Sequence, residues 1–284
     1  MRIPGTHQSG MSRRTMLSFA VGAAAVNAAV VVSESRAAQA TESAPAKAGS
    51  VSALQRFMKL HASVVDGRIP WYYTGRIYAA LGANAPVHLF NFEGTEIYWV
   101  KRLGADDWRV SSSTLTFYRD RTSGEYLDAF ENPLTGRSVS VRPNVLRAKI
   151  AFGTRVSAPG YEISPGNLLP WQMEVQALGG TVWLTTSRYL ASAPQPWIEV
   201  QSMLAPEKAV NDPRVASVSS TFSSTYLAPW LAWLDMGETA GHLVWHAAGC
   251  KLSGIDEIPS SYRERAQAIG TNHFETPGAE TLPS

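Results

Sequence analysis

Residues 228–249 read APWLAWLDMGETAGHLVWHAAG, and the fold prediction is built outward from this segment. Three of its side chains are tryptophans: Trp230, Trp233 and Trp245. After Gly241 the apolar Leu243 alternates with the polar His242 and His246, which is the pattern of a half-buried β-strand. Because tryptophan buries a large apolar area, we expect this corner to close off the end of a β-structure.

Short strands separated by turns account for most of the remaining chain. Period-two alternation predicts strands at 70–80, 87–92, 95–101, 108–119, 126–130, 138–142, 155–163, 171–178, 182–190, 197–204 and 218–227. Turns that open with Asp or Asn and close with Gly lie at 119–125 and 132–137. We interpret Glu93-Gly94 as a hairpin turn or a glycine bulge.

The lengths of these segments favour one class of fold. Few of the intervening stretches are long enough for the crossover helices that a parallel sheet needs. The sequence therefore predicts a mainly β fold, an antiparallel meander that closes into a barrel (calycin-like) or a sandwich. Short N- and C-terminal helices are predicted at 51–65 and 259–269. We expect a single β-rich domain over 51–275, followed by a flexible tail at 276–284.

The composition is that of a folded protein without a basic surface. Of the 284 residues, 45% are hydrophobic and 17% are charged, which excludes a disordered chain. Residues 1–40 contain four of the 25 basic side chains and one of the 23 acidic ones, so the rest of the chain has a formal charge of −1. This balance argues against a nucleic-acid partner. Cys250 is the sole cysteine, which excludes an intramolecular disulfide, and we interpret it as a buried thiol.

The N-terminal 40 residues have the composition of an export signal. Ser12-Arg13-Arg14-Thr15-Met16-Leu17 resembles a twin-arginine motif, an apolar run follows at 18–32, and Ala38-Gln39-Ala40 offers a cleavage site. The apolar run is shorter than the roughly 20 residues that a membrane span needs. We predict a twin-arginine signal peptide at 1–40, a linker at 41–50 and a periplasmic or secreted product. The export machinery is then a partner, and no stable membrane span remains after processing.

Three motifs carry a resemblance to a known family. They are Arg119-Asp120…Thr122-x-Gly124-Glu125, Asn132-Pro133-x-Thr135-Gly136 and Pro229-Trp230-x-x-Trp233-x-x-Met236-Gly237…Gly241-x-Leu243-Val244. With them, nearly all of the chain after the signal resembles a bacterial family catalogued as domain of unknown function 1838. Ala232 and Leu234 stand where we expect Pro and Met in that family. The resemblance implies an exported β-rich domain and carries over no catalytic residue.

Motifs for metals, nucleotides and activated serines are missing from the sequence. His242 and His246 are four residues apart, and on a strand this spacing separates them by about 13 Å, too far to bind one ion together. The chain has no HExxH, no nucleophile elbow and no phosphate-binding glycine loop. We predict no metal and no cofactor.

A few polar residues in aromatic surroundings are the candidates for chemistry. Glu93 and His246 are the candidate proton-transfer pair, and Arg188 is a candidate anchor for a carboxylate or phenolate. The aromatic residues that could line a cavity are Tyr72, Tyr78, Tyr98, Trp99, Trp183 and Trp230. Each of these residues also has an ordinary structural explanation, as a turn carboxylate, a packed histidine, a salt-bridged arginine or a core aromatic.

Three functions fit these observations. The first is a periplasmic β-barrel that binds a small apolar or aromatic molecule and transforms it as a cofactor-independent lyase or isomerase. The second is a carrier for such a molecule without chemistry. The third is a structural protein of the envelope. Polar side chains that converge on space inside the β-structure would favour the first two functions over the third.

Overall fold

A computed structural model describes residues 51–147, 154–162, 168–170, 172–190, 197–271 and 273–275. The predicted signal peptide at 1–40, the linker at 41–50 and the tail at 276–284 lie outside these residues. The helices are α1 (Ala53–His61), α2 (Glu207–Asn211) and α3 (Ser260–Ala268). No helix in the described part of the chain combines the length and the apolar character that a bilayer crossing requires.

The described residues are mainly β, as the sequence predicts. The strands are β1 (Gly67–Ala80), β2 (Val87–Gly104), β3 (Asp107–Arg119), β4 (Ala129–Asn132), β5 (Arg137–Ser140), β6 (Asn144–Arg147), β7 (Thr154–Ser157), β8 (Gly160–Glu162), β9 (Leu168–Pro170), β10 (Met173–Leu178), β11 (Thr181–Leu190), β12 (Trp197–Pro206), β13 (Thr221–Ala228) and β14 (His242–Lys251). A short 3-10 turn, Ala232–Leu234, forms the tryptophan corner between β13 and β14.

All but two of these strands join one antiparallel sheet. Its order is β10-β11-β12-β13-β14-β1-β2-β3-β7-β8-β9, with β6 also paired to β3. The sheet curls into a half-barrel, so the predicted barrel is open rather than closed. Strands β4 and β5 form a separate hairpin around the predicted turn at 132–137. The sequence therefore predicts an antiparallel sheet correctly. That the sheet curls into an open half-barrel is seen only in the structure.

The interpretation of Glu93-Gly94 as a turn or bulge is wrong. Strand β2 runs without a break through both residues, and Glu93 pairs with Thr74 on one side and Phe117 on the other. The register shifts instead at Ile77/Tyr78 in β1. Position 94 needs a glycine because the Tyr73 ring lies against it, and not because the chain changes direction there.

Two other predicted elements have different bounds. The predicted helix at 51–65 is shorter, because Ser52 caps its start and side chains bind its last carbonyls. Lys251 Nζ donates to the carbonyls of Lys59 (2.6 Å) and Ala62 (3.0 Å), and burial lowers its pKa to about 7. The predicted strand at 155–163 is the hairpin of β7 and β8, because the chain reverses before Gly160.

Helix packing shows which face of the sheet lies inside the curl. Helix α1 packs Phe57 and Met58 into one cluster with Trp108 from β3 and Met203 from β12. These strands are far apart in the sheet order, so the side that meets α1 is the concave face. Helix α3 covers the opposite, convex face, where Tyr262 packs against residues of β3.

Candidate functional site

Apolar clusters close the concave face at two ends. The α1 cluster occupies one end and includes Phe57, Met58, Trp108, Leu184 and Met203. The corner cluster occupies the other end and includes Ile77, Phe90, Leu234, Met236 and Trp245. The tryptophan corner thus packs into this cluster through Leu234 and Met236, with Trp230 and Trp233 partly buried against it.

Polar side chains lie on the concave face between the two clusters. We call this region the recess, and it is formed by Tyr73, Glu96, Thr116, Thr186, Glu199, Gln201, Ser224 and Tyr226. Five of them keep part of their surface accessible: Tyr73, Glu96, Glu199, Gln201 and Tyr226. On the concave face, these five side chains are therefore neither fully buried nor fully exposed.

The pKa of Tyr226 is raised by groups on several strands of the sheet. Burial is the largest cause that raises the pKa of Tyr226, and Tyr73, Tyr118, Glu199 and Glu96 raise it further. Glu96 belongs to β2 and Glu199 to β12, with β13, β14 and β1 between them in the sheet. Two carboxylates from well-separated strands therefore contribute to the raised pKa of one hydroxyl.

Tyr73, the second tyrosine of the recess, also has a raised pKa. Burial and the charge of Glu96 raise the pKa of Tyr73, whose hydroxyl lies 3.2 Å from Thr116 Oγ1. Both phenols are protonated at neutral pH, and the upward shifts extend that state to more alkaline pH.

Glycines allow aromatic rings to lie close against the sheet. Tyr73 is directly opposite Gly94 in the register, and a Cβ at position 94 would lie 2.5 Å from Tyr73 Cε2. The same arrangement joins Phe92 to Gly75 and Phe222 to Gly249. Three cross-strand glycine–aromatic pairs on neighbouring strands thus give this face an aromatic lining.

These rings form a connected series. Tyr73 lies 6.1 Å from Phe92 and 6.2 Å from Phe222, measured between ring centroids. Phe92 lies 5.0 Å from Trp245, which stacks on Tyr226 at 5.2 Å. The series carries the aromatic lining from the middle of the sheet to the carboxylates of the recess.

Acceptor atoms are prominent among the polar groups of the recess. Ser224 donates to Glu199 Oε1 at 3.3 Å. The Oε1 atom of Gln201 is buried and meets no donor among the described residues. A carboxylate accepts at about four lone-pair positions. The recess can therefore accept hydrogen bonds from a bound molecule.

The predicted catalytic residue Glu93 lies on the convex face instead. Its carboxylate is buried and accepts hydrogen bonds from Tyr72 (2.6 Å) and Arg119 (2.7 Å), and also from Tyr126. Burial, then the bond to Glu93, raises the pKa of Tyr72, and the same causes raise that of Tyr126 to about 12. We call these four residues the Glu93 cluster, and its hydrogen bonds join β1, β2 and β3 to the following turn.

The structure does not bring Glu93 and His246 together. Both lie on the convex face, but β1 runs between their strands, with Thr74 opposite Glu93 and Arg76 opposite His246. His246 is exposed, and its Nδ1 lies 3.0 Å from Thr225 Oγ1. A direct proton relay between the two predicted residues is therefore not formed.

The predicted anchor Arg188 lies in β11, directly opposite Glu199 of β12. Its position in the register is on the concave face, with Leu184 and Thr186. Its side chain lies outside the described part of the chain. The sequence thus places a cation on the same face as the recess, in the strand next to Glu199.

The aromatic residues predicted to line one cavity are spread over several surroundings. Tyr98 is on the concave face, 4.6 Å from the His61 ring. Tyr72 belongs to the Glu93 cluster, Tyr78 lies 5.1 Å from His88, and Trp99 is buried on the convex face. Trp183 is 46% exposed, and Trp230 donates to the Thr239 carbonyl at 2.9 Å. These residues do not share one cavity.

Sequence reasoning missed Glu96, Glu199 and Gln201. Glu96 stands on the same strand face as Phe90 and Phe92, and Glu199 on the same face as Met203. A charged residue in an apolar alternation is the signal that could have identified both. The assumed turn at Glu93-Gly94 broke the alternation of β2 and hid it.

Known ligand-binding arrangements are scarce in the described part of the chain. No three side chains among His, Cys, Asp and Glu are grouped there to hold a metal ion. A surface cavity of about 230 Å³ lies between Phe117 and Arg265, and another of about 320 Å³ adjoins Cys250 and Lys251. Neither joins the polar groups of the recess.

Comparison with known proteins gives one finding. A family model described as "Protein of unknown function (DUF1838)" matches residues 67–280. The match covers most of the chain and includes every residue of the recess and of the Glu93 cluster. No curated protein matches the sequence.

Proposed function

The chain belongs to the DUF1838 family of proteins of unknown function, and since the family brings no activity, we propose a function from the recess: the protein binds a small molecule on the concave face of its half-barrel. The observation that carries the proposal is that the register places Glu96, Glu199 and Gln201 on the concave face, between two apolar clusters. An aromatic lining with a few polar groups is the usual construction of a small-molecule site.

Competing explanations account less well for this arrangement. A purely structural interior would be expected to hold apolar side chains, because unpaired buried polar groups cost free energy. Here the buried Gln201 Oε1, which meets no donor among the described residues, lies between two apolar clusters, on the same face as two carboxylates. A structural protein of the envelope has no need for these groups, whereas a binding protein uses them to orient its ligand.

A dye-binding experiment tests the location of the site. N-phenyl-1-naphthylamine is a neutral dye whose emission rises in apolar surroundings. Ser224→Phe fills the concave face, and the neighbouring Ser223→Phe adds the same ring to the exposed convex face. We expect the dye to fluoresce with the unchanged protein and with Ser223→Phe, and not with Ser224→Phe. Equal emission from both variants, with unchanged circular dichroism, would refute a site in the recess.

Proton transfer on the bound molecule is a second candidate function. The observation that favours it is that the Tyr226 hydroxyl lies in the field of two carboxylates. A protonated phenol beside a carboxylate is an acid/base pair that isomerases and lyases can use without a cofactor. In this proposal Glu96 and Tyr226 replace Glu93 and His246. Turnover that survives Tyr226→Phe and Glu96→Gln would contradict it, whereas loss in these variants and retention in His246→Ala would support it.

We also propose that the chain is exported in folded form. Three features support this proposal: the sequence Ser12-Arg13-Arg14, the apolar run at 18–32, and the cleavage site that Ala38-Gln39-Ala40 offers. Replacing Arg13 and Arg14 together by Lys should retain the protein in the cytoplasm, while Arg36→Lys should not. Unchanged export of the double variant would exclude the twin-arginine route.

A further inference from the structure

A cavity on the convex face of the sheet lies apart from the recess. Its volume is about 230 Å³, and its walls come from β3, from the residues on either side of the β4–β5 hairpin and from the end of α3. We propose that this cavity, called the α3 cavity below, binds a small apolar monocarboxylate. The carboxylate would lie on Arg265, and the apolar part against Phe117, Leu127, Val141 and Ile269. This second site is independent of the proposed function of the recess.

The guanidinium of Arg265 uses only one of the two donors on its Nε edge. Its Nη2 donates to Asp128 Oδ1 at 2.5 Å, whereas its Nε is buried and meets no acceptor among the described residues. Arg155 shows the complete arrangement, because its Nε and Nη2 donate to the two oxygens of Asp107 at 2.9 and 2.6 Å. A planar carboxylate fits both donors at once. A ligand carboxylate in place of Asp128 would therefore satisfy the donor that Asp128 leaves unused.

The exposure of the two charged side chains favours an anionic ligand over a cationic one. The Asp128 side chain is 83% exposed, whereas the Arg265 side chain is 29% exposed. An ion pair with so exposed a partner contributes little, because water and salt screen it. The cation is the more enclosed of the two charges, so a ligand gains more from Arg265 than from Asp128.

Aromatic rings hold the Arg265 guanidinium in position without the help of Asp128. Its Cζ atom lies 4.6 Å from the ring centroid of Tyr126 and 5.6 Å from that of Phe117. Tyr126 is itself fixed by its hydrogen bond to Glu93. Arg265 should therefore keep its place when Asp128 gives up its bond. A donor that is already positioned loses less conformational freedom when a ligand binds.

The size of the α3 cavity limits the apolar part of the ligand. A cavity of about 150 Å³ holds one benzene ring, and drug-sized molecules need at least about 300 Å³. The α3 cavity lies between these sizes, so it suits one ring or a short chain. Its walls are also held in place, because Val141 N donates to the Asp128 carbonyl at 2.9 Å and Leu127 N to the Tyr118 carbonyl at 3.0 Å.

Titrations of the full chain with three phenyl compounds, followed by two-dimensional amide NMR, test both the affinity and the place of binding. The compounds are phenylacetate, 2-phenylethanol and 2-phenylethylamine, which differ in their end group. We expect phenylacetate to shift the amide signals of Leu127, Asp128, Val141 and Arg265. It should bind at least about tenfold tighter than the alcohol, which is the ratio expected for a charge-assisted hydrogen bond. The amine should bind no more tightly than the alcohol.

Two variants should change the affinity for phenylacetate in opposite directions. Arg265→Gln should weaken it at least about tenfold and leave the alcohol within about twofold. Asp128→Asn should tighten it about two- to fivefold, because the competing carboxylate is gone. The controls are Arg214→Gln, an exposed position outside the cavity, and Glu174→Gln, on the exposed face of β10, and neither should change the affinity. If Arg265→Gln does not fold, Asp128→Asn still decides, since a salt bridge with only a structural role predicts no gain.

Several outcomes would overturn the α3 site. They are an alcohol or an amine that binds as tightly as phenylacetate, an unchanged affinity in Arg265→Gln, and an unchanged or weaker affinity in Asp128→Asn. The absence of shifts at the cavity amides with about 10 mM phenylacetate would also overturn it. Phenylacetate that shifts only amides of the recess, such as those of Thr116 and Ser224, would exclude the α3 cavity and leave the recess as a site. Failure of the naphthylamine dye to bind would contradict only the recess.

Discussion

Tyr73 lies across Gly94, its direct partner on the neighbouring strand, and the two residues fit because glycine has no side chain. A Cβ at position 94 would be 2.6 Å from the Tyr73 hydroxyl oxygen as well as 2.5 Å from its ring. The Tyr73 ring therefore leaves room only for glycine at position 94. The absence of a side chain there lets the Tyr73 hydroxyl lie 3.2 Å from Thr116 Oγ1. This pair explains a glycine in the middle of a long strand.

Gly94→Ala should destabilise the protein by about 1–3 kcal/mol, which is the usual cost of adding a methyl group to a packed site. The ring of Tyr73 must move, so its contact with Thr116 should be lost as well. Urea unfolding measures the change in the free energy of unfolding. Gly67→Ala is the control, because a Cβ at that position has no atom within 4 Å. Equal stability of the two variants would contradict the proposed packing.

Glu93→Gln should destabilise the protein by about 1–3 kcal/mol. The variant leaves the Arg119 guanidinium without its carboxylate, and the loss is smaller than for a fully buried pair because the Arg119 side chain is 27% exposed. The two tyrosine donors lose a charged acceptor at the same time. Thermal and urea unfolding should show the loss, and Glu174→Gln should show none. A Glu93→Gln variant as stable as the unchanged protein would mean that the Glu93 cluster does not hold the three strands together.

The sequence predicts the fold well because alternation is a local property. His242 and Leu243 fall on opposite faces of β14, as their order along the chain requires. The site is harder to predict, because it depends on which strands the curl brings together. Nothing local indicates that Glu96 and Glu199 both raise the pKa of one hydroxyl, since they come from strands separated by three others.

The wrong prediction of a turn or bulge at Glu93-Gly94 also has a local cause. Glycine usually marks a turn or bulge, so the sequence predicts one at Glu93-Gly94, while the aromatic neighbours of Glu93 make that residue a candidate for chemistry. In the structure the glycine is needed by Tyr73, which is distant along the chain. A requirement set by a residue on another strand cannot be read from the residues next to the glycine.

Asn132 links two of the motifs that carried the family resemblance. Its Nδ2 donates to the Leu234 carbonyl at 2.9 Å, and its Oδ1 accepts from the Leu134 amide at 3.0 Å. The side chain is 1% exposed, so its loss leaves buried groups without partners. The turn at 132–137 and the tryptophan corner are thus joined by this amide, and also by the salt bridge between Arg137 and Asp235 at 2.6 Å.

Asn132→Ala should therefore cost about 1–3 kcal/mol of stability, which is the usual penalty for a buried carbonyl that loses its donor. Because Leu234 follows Trp233 in the corner, the tryptophan emission should shift to longer wavelength. Fluorescence-monitored urea unfolding measures both effects. Asn84→Ala is the control, since Asn84 is exposed in a loop. An unchanged emission maximum in Asn132→Ala would show that the amide does not hold the corner.

Stability should fall as the pH rises from 10 to 12, and Tyr126 should contribute to the fall. Its pKa is raised by burial and by Glu93 from an ordinary value of 10 to about 12. Between these values the folded state keeps a proton that the unfolded state has lost, so increasing pH favours unfolding. The contribution is fully present below pH 10 and is lost as the pH passes 12.

The variant Tyr126→Phe isolates this contribution. At pH 8 it should be less stable than the unchanged protein, because the hydrogen bond to Glu93 is missing. Its stability should fall less steeply between pH 10 and 12, since phenylalanine has no proton to lose, so the two curves should approach each other. Urea unfolding at intervals of half a pH unit measures the difference. Curves that stay parallel from pH 8 to 12 would mean that Tyr126 titrates alike in both states, and the hydrogen bond to Glu93 would then have no role in holding its proton.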